Sequence, residues 1–459
     1  MKEITTYVDK RVLVLGLAKS GFNAAKLLKR LGALVTVSDV QPLAQNTEAK
    51  ELQEAGFKVI TGQQTPDLLD AGYDLVVKNP GIPYDVPVVK RALELKLPII
   101  SEMELASEVA DAELVAVTGS NGKTTTTTMI QKMLAHDRET GKSVYAGNIG
   151  IPASQVAQQV TSVDTLVLEV SSFMLVGTTT FNPHIAVLTN IFSNHLDYHK
   201  TRANYVAAKM KITANQTASD YFVVNFDDPE WRELSTHSAA QVVPFSRQNV
   251  TQDGAYEANG TLYYQQEAIM PASEVKVPGD HNIENALAAI AVAKIKGVST
   301  ASIVSVLRAF GGVRHRTQFV LEADGRQYYN DSKATDMEAT EMALKGFQAP
   351  VVLLAGGLDR GYTFEKMIPA FKEHVKAIVL FGETAKLLAE TAKQAGIATI
   401  KMTENAETGV PVAYELSDPG DIILLSPANA SWDQYPNFEV RGDKFIQAVE
   451  KLTGKQEEV

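Results

Sequence analysis

A chain of 459 residues exceeds one comfortable hydrophobic core, and its composition, 45% hydrophobic and 21% charged, is that of a globular protein of two to four domains. Forty-three basic against 54 acidic side chains leave a formal charge of −11, which argues against a nucleic-acid footprint while leaving room for local basic pockets. Cysteine is absent, excluding disulfides, thiolate catalysis and Cys-ligated zinc. No run reaches the ~18 apolar residues of a membrane span, and the N-terminus, MKEITTYVDKRVLVLG, lacks a signal-peptide layout. A soluble cytoplasmic protein is therefore expected.

In chain order the pattern alternates apolar strands with amphipathic helices, which implies parallel sheets covered by helices. A first block opens with a strand at 11–15, a Gly turn and the helix FNAAKLLKRLG, followed by ALVTVSD, YDLVVKNPG and LPII. A second block runs ELVAVTG, TLVLEV, IAVLTNI and YFVVNFDD; within it GAYEANGTLYY carries an Asn-Gly pair between alternating runs, a hairpin signal. NALAAIAVAKIKG reads as a helix closed by Gly. A third block follows FGGVRHRTQ, with strands PVVLLAGG, KAIVLFGE and DIILLSPA in a doubly wound pattern. The expected domains are 1–107, 108–312 and 313–459, with RHRT (314–317) as a charged hinge before the third.

The motif with the clearest chemistry is TGSNGKTT (118–125), set between an apolar strand and a helix. That is the frame of a phosphate loop: backbone amides at a helix N-terminus wrap an anion, Lys123 reaches the outer phosphates and the Thr124 hydroxyl is placed for Mg²⁺. Val117 stands where the strict pattern has its first Gly. Five consecutive threonines, 124–128, suit a phosphate site better than a core face. Glu169 ends a strand where a metal ligand or an ordered water is expected. NIFSNHLDYH gathers Asn194, His195, Asp197 and His199 at another strand end, in a spacing that matches no zinc motif. In the first block Gly16-x-Ala18-x-x-Gly21, with Asp39 ending the next strand, approaches a dinucleotide fingerprint whose middle Gly is replaced by Ala. That turn alone leaves a nicotinamide-dependent oxidoreductase open, and the phosphate loop alone leaves an ATPase open. Two anion loops in one chain favour a nucleotide-linked substrate with a separate ATP. KNPGIP, YNDSKATD, GDHNIENALAA and the long loop SPANASWDQYPNFEVRG add polar clusters beside apolar elements.

Taken together and in this order, these segments resemble the ATP-dependent Mur ligases of bacterial cell-wall synthesis, from VLVLGLAKSG to SPANASWDQYPNFEVRG. GLAKSG, KNPGIP and the last segment resemble the D-glutamate-adding members more than the L-alanine-adding ones. The Asp-Asn-Pro-Arg signature of enzymes that add meso-diaminopimelate is absent from the third block. A folylpolyglutamate synthetase would lack a comparable first block.

The resemblance implies three α/β domains: a Rossmann-like domain binding the UDP portion of the substrate, a central phosphate-loop domain whose parallel sheet has a small antiparallel part, and a C-terminal Rossmann-like domain. It implies an ADP-forming ligase that joins D-glutamate to UDP-N-acetylmuramoyl-L-alanine through an acyl phosphate, acting as a monomer in the cytoplasm. Gly119, Ser120, Asn121, Gly122, Lys123, Thr124 and Thr125, with Asn282, Arg316 and Asp331, would hold ATP, with His315 beside them. Thr124 and Glu169 would hold one Mg²⁺; His195 and Lys209, the latter as a carbamate, would hold a second. Lys333 would lie by the transferred phosphate. Ala18, Lys19, Ser20, Asp39 and Gly81 would surround the uridine diphosphate, with Asn148 on the substrate nearer ATP. Thr335, Arg360, Ser431 and Phe438 would position D-glutamate; relatives often carry Lys where Arg360 stands, so its contact geometry differs.

Overall fold

The computed structural model describes residues 1–192 and 195–458, and of Leu196 and Asp197 the backbone alone. Asn194 and the Asp197 side chain, both singled out above, lie outside the described residues. The chain packs as two compact units, Met1–Ala272 with Glu284–Val306, and Ser273–Ile283 with Leu307–Val459.

The first unit contains two sheets. One has five parallel strands in the spatial order Lys58–Thr61, Leu34–Asp39, Arg11–Leu15, Leu75–Lys78, Ile99–Ile100. After Arg11 its central strand is apolar because both faces are covered: Val12 and Val14 enter one core, Leu13 and Leu15 the other. Helix Lys19–Arg30 buries Ala24, Ala25, Leu27 and Leu28, the helical-period stripe expected of FNAAKLLKRLG. Chain order reverses between Arg11–Leu15 and Leu75–Lys78, so the turns after Leu15 and Lys78 flank a topological switch point, where open α/β sheets take their ligands.

The other sheet has nine strands: Glu267–Pro271, Thr261–Tyr264, Ala255–Ala258, Gln241–Ser246, Tyr221–Asn225, Ile185–Leu188, Glu113–Thr118, Thr165–Glu169 and Ser143–Gly147 in space. Neighbours from Ala255–Ala258 onward are parallel, and the first three strands form an antiparallel meander. The Asn-Gly hairpin is present: Asn259 and Gly260 connect Ala258 to Thr261 with φ of 49° and 73°, the left-handed pair a tight two-residue hairpin requires.

In the second unit a six-stranded sheet runs Gln318–Ala323, Arg326–Asn330, Ile422–Leu425, Val351–Gly356, Val375–Phe381, Thr399–Met402, antiparallel only in its first pair. Val351, Leu353 and Ala355 face one core while Val352 and Leu354 face the opposite one, so helices cover both sides as a doubly wound pattern demands. The segment expected as a charged hinge is a closed turn of this unit. Val313 and Arg316 form an isolated bridge, Arg314 pairs with Asp443 at 2.7 Å and Glu457 at 2.9 Å, and His315 is buried. Two acidic partners supplied from far along the chain turn what reads as a solvated basic run into packed structure. No described helix is long and apolar enough to cross a membrane.

Leu353 is fully buried in the third sheet. Leu353→Ala is expected to cost about 2–5 kcal/mol, read as a lowered thermal transition of the second unit.

Candidate active site

The phosphate loop follows strand Glu113–Thr118 and ends at helix Lys123–Ala135, whose capping residue, Gly122, has φ 79°. At Gly119 a Cβ would collide with the Thr189 hydroxyl and crowd the Asn190 amide, and at Gly122 it would meet the Asn285 side chain in a left-handed backbone that favours glycine. The neighbouring strand end fixes the loop. The Ser120 amide donates to the Asn190 carbonyl at 2.9 Å, the Asn121 amide to Asn190 Oδ1 at 2.8 Å, and the Thr189 hydroxyl to the Asn121 carbonyl at 2.7 Å. Ser120 Oγ lies 2.9 Å from the Tyr205 hydroxyl. Lys123 Nζ donates to the carbonyls of Gly119 and Ser120, both at 2.8 Å. Thr124 is buried and Thr125 half-buried. The threonine run differs from expectation, because Thr124, Thr126 and Thr127 are all buried and thus do form a packed face. Thr126 reaches Asn285 at 3.1 Å and the half-buried Thr128 donates back to the Thr124 carbonyl at 2.8 Å, while the Thr127 hydroxyl is buried without a partner among the described residues.

Beneath this loop lies Lys209, from helix Arg202–Met210. It is 1% exposed, its Nζ donates to the Gly119 carbonyl at 2.7 Å, and it sits 4.6 Å from the Tyr205 ring centroid. Burial, helped by the nearby Lys123 charge, pushes the ammonium down to about 6. Burial therefore favours the neutral amine over the ammonium at this position.

Glu169 ends the adjacent strand and is buried. Its Oε1 accepts from Asn148 Nδ2 at 2.8 Å, and the Asn148 amide donates to the Glu169 carbonyl at 2.9 Å. The other carboxylate oxygen, Oε2, and the Thr118 hydroxyl on the paired strand are buried with no hydrogen-bond partner among the described residues. A buried carboxylate oxygen without a donor fits a bound cation. Among the described residues no three His, Cys, Asp or Glu side chains cluster into a protein-only cage.

The two histidines differ in burial. His199 is buried, its Nε2 lies 2.9 Å from Ser172 Oγ, and it stacks on Phe173. His195 is exposed and has φ 56°, a left-handed backbone that non-glycine residues adopt chiefly where function or tight packing imposes it.

In the first sheet's crevice Asp39 accepts from the Leu17 amide at 2.7 Å and the Gln41 amide at 2.8 Å, so its carboxylate shapes the Gly16 turn. Ala18 caps helix Lys19–Arg30. Ser20 Oγ accepts from Asn79 Nδ2 at 3.2 Å, and Asn79 Oδ1 accepts from the Gly81 amide at 3.1 Å. Sequence reading missed Lys78. Its buried ammonium donates to the carbonyls of Asn79 at 3.1 Å and Ile82 at 2.7 Å, and lies 3.4 Å from the Tyr198 hydroxyl. Burial pushes Lys78 down to about 8. One side chain thus holds the KNPGIP turn against the element that bears His199. The available signal was a lysine ending an otherwise apolar strand.

The second unit places Asn282, Arg316, Asp331, Lys333, Thr335, Arg360, Ser431 and Phe438. Asp331 is buried, accepts from the Ser426 hydroxyl at 2.8 Å and the Thr317 amide at 3.0 Å, and is raised by burial to about 7. Asn282 Nδ2 donates to the Pro278 carbonyl at 2.6 Å. Lys333 Nζ sits 5.1 Å from the Phe438 ring, and His315, pushed by burial down to about 4, lies edge-on to the same ring. Thr335 and Arg360 line one cleft of ≈ 280 Å³ with Asn429 and Ala430, and Arg360 stacks on Trp432 at 5.1 Å. Ser431 is buried in the loop that follows. Ala428, beside them, has φ 57°, and His315 has φ 65°, left-handed backbones like that of His195. Sequence reading also missed Arg441. Fully buried, it donates to Ser332 Oγ at 3.0 Å and to the carbonyls of Ser332 at 2.8 Å and Asn429 at 3.0 Å, tying together the loops that carry Lys333 and Ser431.

Three α/β sheets whose parallel strands end in polar, glycine-containing loops, one of them a phosphate loop, define a multidomain nucleotide-binding protein. Family models match along the chain: Mur ligase MurD-like, N-terminal domain at residues 10–101; Mur ligase middle domain at 117–293; and Mur ligase, glutamate ligase domain at 315–429. The chain belongs to the Mur ligase family. It is 61% identical over 458 residues, 100% of both chains, to a protein of Lactiplantibacillus plantarum named UDP-N-acetylmuramoylalanine--D-glutamate ligase. It is 56% identical over 453 residues, 98% of this chain and 99% of the relative, to a protein of that name from Enterococcus faecalis. Among solved structures it shares its fold with UDP-N-acetylmuramate-alanine ligase MurC of Thermotoga maritima, with TM-score 0.58, 21% identity, and 96% and 100% of the two chains covered. MurF ligase of the same organism, in complex with ADP, matches with TM-score 0.55, 16% identity, and 98% and 96% covered.

Unfolded, Lys209 stays protonated up to its ordinary 10.5; folded, it is neutral above about 6. The unfolded chain binds the extra proton between those values, so this residue costs stability at pH 7 and the cost fades as pH rises. Lys209→Met is expected to be more stable at pH 7 by about 1–4 kcal/mol, with the gain shrinking toward pH 10 in thermal melts.

Proposed function

We propose that the chain catalyses ATP-dependent addition of D-glutamate to UDP-N-acetylmuramoyl-L-alanine in peptidoglycan precursor synthesis. Membership of the Mur ligases makes it an ATP-dependent ligase. The single observation that carries the finer reading is full-length identity of 61% to a relative named for D-glutamate addition. The crevice at the first sheet's switch point and the phosphate loop support it, since the reaction needs a nucleotide-linked acceptor and a separate triphosphate.

A carboxylate does not condense with an amine at neutral pH, because hydroxide is a poor leaving group. In this reading the substrate carboxylate attacks the ATP γ-phosphorus, releasing ADP and forming an acyl phosphate. The D-glutamate amine then attacks the acyl carbon and the tetrahedral intermediate expels inorganic phosphate. Lys123 and the loop amides from Gly119 to Thr125 bind the triphosphate and offset its repulsion of the incoming carboxylate. Asn282, Arg316 and Asp331 take the rest of the nucleotide. Ala18, Lys19, Ser20, Asp39 and Gly81 hold the uridine diphosphate, with Asn148, bonded to Glu169, bordering the substrate. Arg360, Thr335, Ser431 and Phe438 orient D-glutamate, and Lys333 meets the transferred phosphate.

Two Mg²⁺ ions, one held by Thr124 and Glu169 and one by His195 and Lys209, would supply charge neutralisation at the triphosphate. For Lys209 this requires a change of chemistry, since neither an ammonium nor an amine donating to Gly119 is an oxygen ligand. Its neutral amine is nucleophilic toward CO₂, and the carbamate that results is an anionic oxygen donor. The protein is proposed to act as a cytoplasmic monomer with domains 1–107, 108–312 and 313–459.

The test is phosphate release from ATP and Mg²⁺ with UDP-N-acetylmuramoyl-L-alanine and, separately, D-glutamate, L-glutamate, L-alanine or no amino acid. Release dependent on both the nucleotide substrate and D-glutamate is expected, with kcat lowered about 10²–10³-fold in Lys123→Ala. Preference for L-alanine, or release that ignores the amino acid, would overturn the assignment.

A further inference from the structure

The chain has two tryptophans. Trp231 is 5% exposed, as a large aromatic usually is, but Trp432 is 65% exposed, in the loop that follows strand Ile422–Leu425. A side chain left so open to water has a role other than core packing. Its ring lies 5.1 Å from the Arg360 guanidinium. Arg360 lines the cleft of ≈ 280 Å³ beside Thr335, and Trp432 does not. Whatever Trp432 does for that cleft, it does through Arg360.

The backbones that carry the pair are fixed to each other. The Leu358 amide donates to the Ala430 carbonyl at 2.9 Å, joining the GGLDRG loop to the loop of Trp432. The Gly361 amide donates to Asp359 Oδ1 at 2.8 Å, a tight turn that presents Arg360. The amides of Gln434 and Tyr435 donate to the Ser431 carbonyl at 3.1 and 2.8 Å, a turn that presents Trp432. The Asp359 amide donates to Glu383 Oε2 at 3.0 Å and the Glu383 amide to Asp433 Oδ2 at 3.2 Å, which ties the two turns a second time. Both side chains are exposed, and among the described residues the Arg360 guanidinium has no hydrogen-bond or carboxylate partner. It is also the only cation among the described residues that line the cleft. The two acids there are engaged elsewhere: Asp336 caps helix Met337–Lys345, accepting from the Ala339 amide at 2.8 Å, and Glu338 pairs with Lys366 at 2.5 Å. The cleft thus offers an anion one cation, and that cation is held by an indole.

A guanidinium carries its donors in its own plane. Stacking one face on an indole therefore leaves the N–H edges available while removing the freedom of a long side chain to swing away. Such a fork is suited to a carboxylate, which it meets with two parallel hydrogen bonds. A lysine ammonium, a point charge without a flat face, would gain less from the same ring. We propose that Trp432 is a positioning residue for the amino-acid substrate: it holds the Arg360 fork at the cleft so that the fork receives a carboxylate of the incoming D-glutamate. This role rests on the reading of the cleft as the D-glutamate site.

The test measures kcat and KM of the full chain for D-glutamate, ATP and UDP-N-acetylmuramoyl-L-alanine in Trp432→Leu, Trp432→Phe, Arg360→Lys and the double variant Trp432→Leu/Arg360→Lys. Trp432→Leu is expected to raise KM for D-glutamate by about three- to ten-fold, with kcat, the other two KM values and the melting temperature unchanged. Trp432→Phe, which keeps a ring face, is expected to recover most of the loss. In the Arg360→Lys background Trp432→Leu is expected to add little, because the two side chains act as one unit. An unchanged KM for D-glutamate in Trp432→Leu, or a full further loss in the Arg360→Lys background, would overturn the proposal and leave the ligase reading standing. So would an equal rise in all three KM values. Absence of D-glutamate-dependent turnover in the parent chain would instead overturn the ligase reading, and this role with it.

Discussion

The contact between the Lys209 ammonium nitrogen and the Gly119 carbonyl is the one on which the central site depends. A phosphate loop needs its amides turned toward an anion, which turns several carbonyls the other way, toward protein. Lys123 and Lys209 both donate to the Gly119 carbonyl. Two basic groups sharing one acceptor cannot comfortably both be charged, and the buried one gives up its proton more readily. The arrangement costs stability at neutral pH, and a fold with no use for an amine there would do better with methionine.

The rest of the chemistry follows from sheet geometry. In each of the three sheets the candidate residues follow the carboxyl ends of parallel strands: Gly16 and Lys78 in the first, the phosphate loop, Asn148, Glu169 and Asn190 in the second, Asp331, Arg360 and Ser431 in the third. Strands buried on both faces contribute stability and little else, so variation collects in the loops that follow them. Those loops are held by single buried cations. Lys78 gathers the carbonyls of one turn, and Arg441 those of two loops in the second unit. Left-handed backbones at His195 and Ala428 mark where such loops are forced out of their relaxed conformations.

Much of this was legible in the sequence. Continuous apolar runs such as VLVL, LVLE and IILL gave the central strands, Asn-Gly gave the hairpin, and strand–TGSNGKTT–helix gave the phosphate loop. What escaped was of two physical kinds. Edge strands such as Ser143–Gly147 and Thr399–Met402 are half exposed and carry no clean period. Buried cations look like surface residues in a sequence: Lys78 reads as a strand's polar end and Arg441 sits beside polar neighbours, and only the fold surrounds them with carbonyls. The ion pairs of Arg314 in the RHRT segment were hidden for the same reason, because Asp443 and Glu457 are remote in the chain. The threonine run packs against expectation: Thr126 bonds to Asn285 and Thr128 to a carbonyl of its own helix, and only the fold supplies the first of these partners.

The proposed second metal position rests on burial favouring the neutral amine of Lys209, the form that would react with CO₂. The most direct test is a ¹³C NMR spectrum of the full chain in ¹³C-bicarbonate near neutral pH, compared with Lys209→Met. The account predicts a carbamate carbonyl resonance in the parent that is missing from the variant. Identical spectra, with no such resonance in either, would contradict it and leave Lys209 as a packing residue beneath the loop.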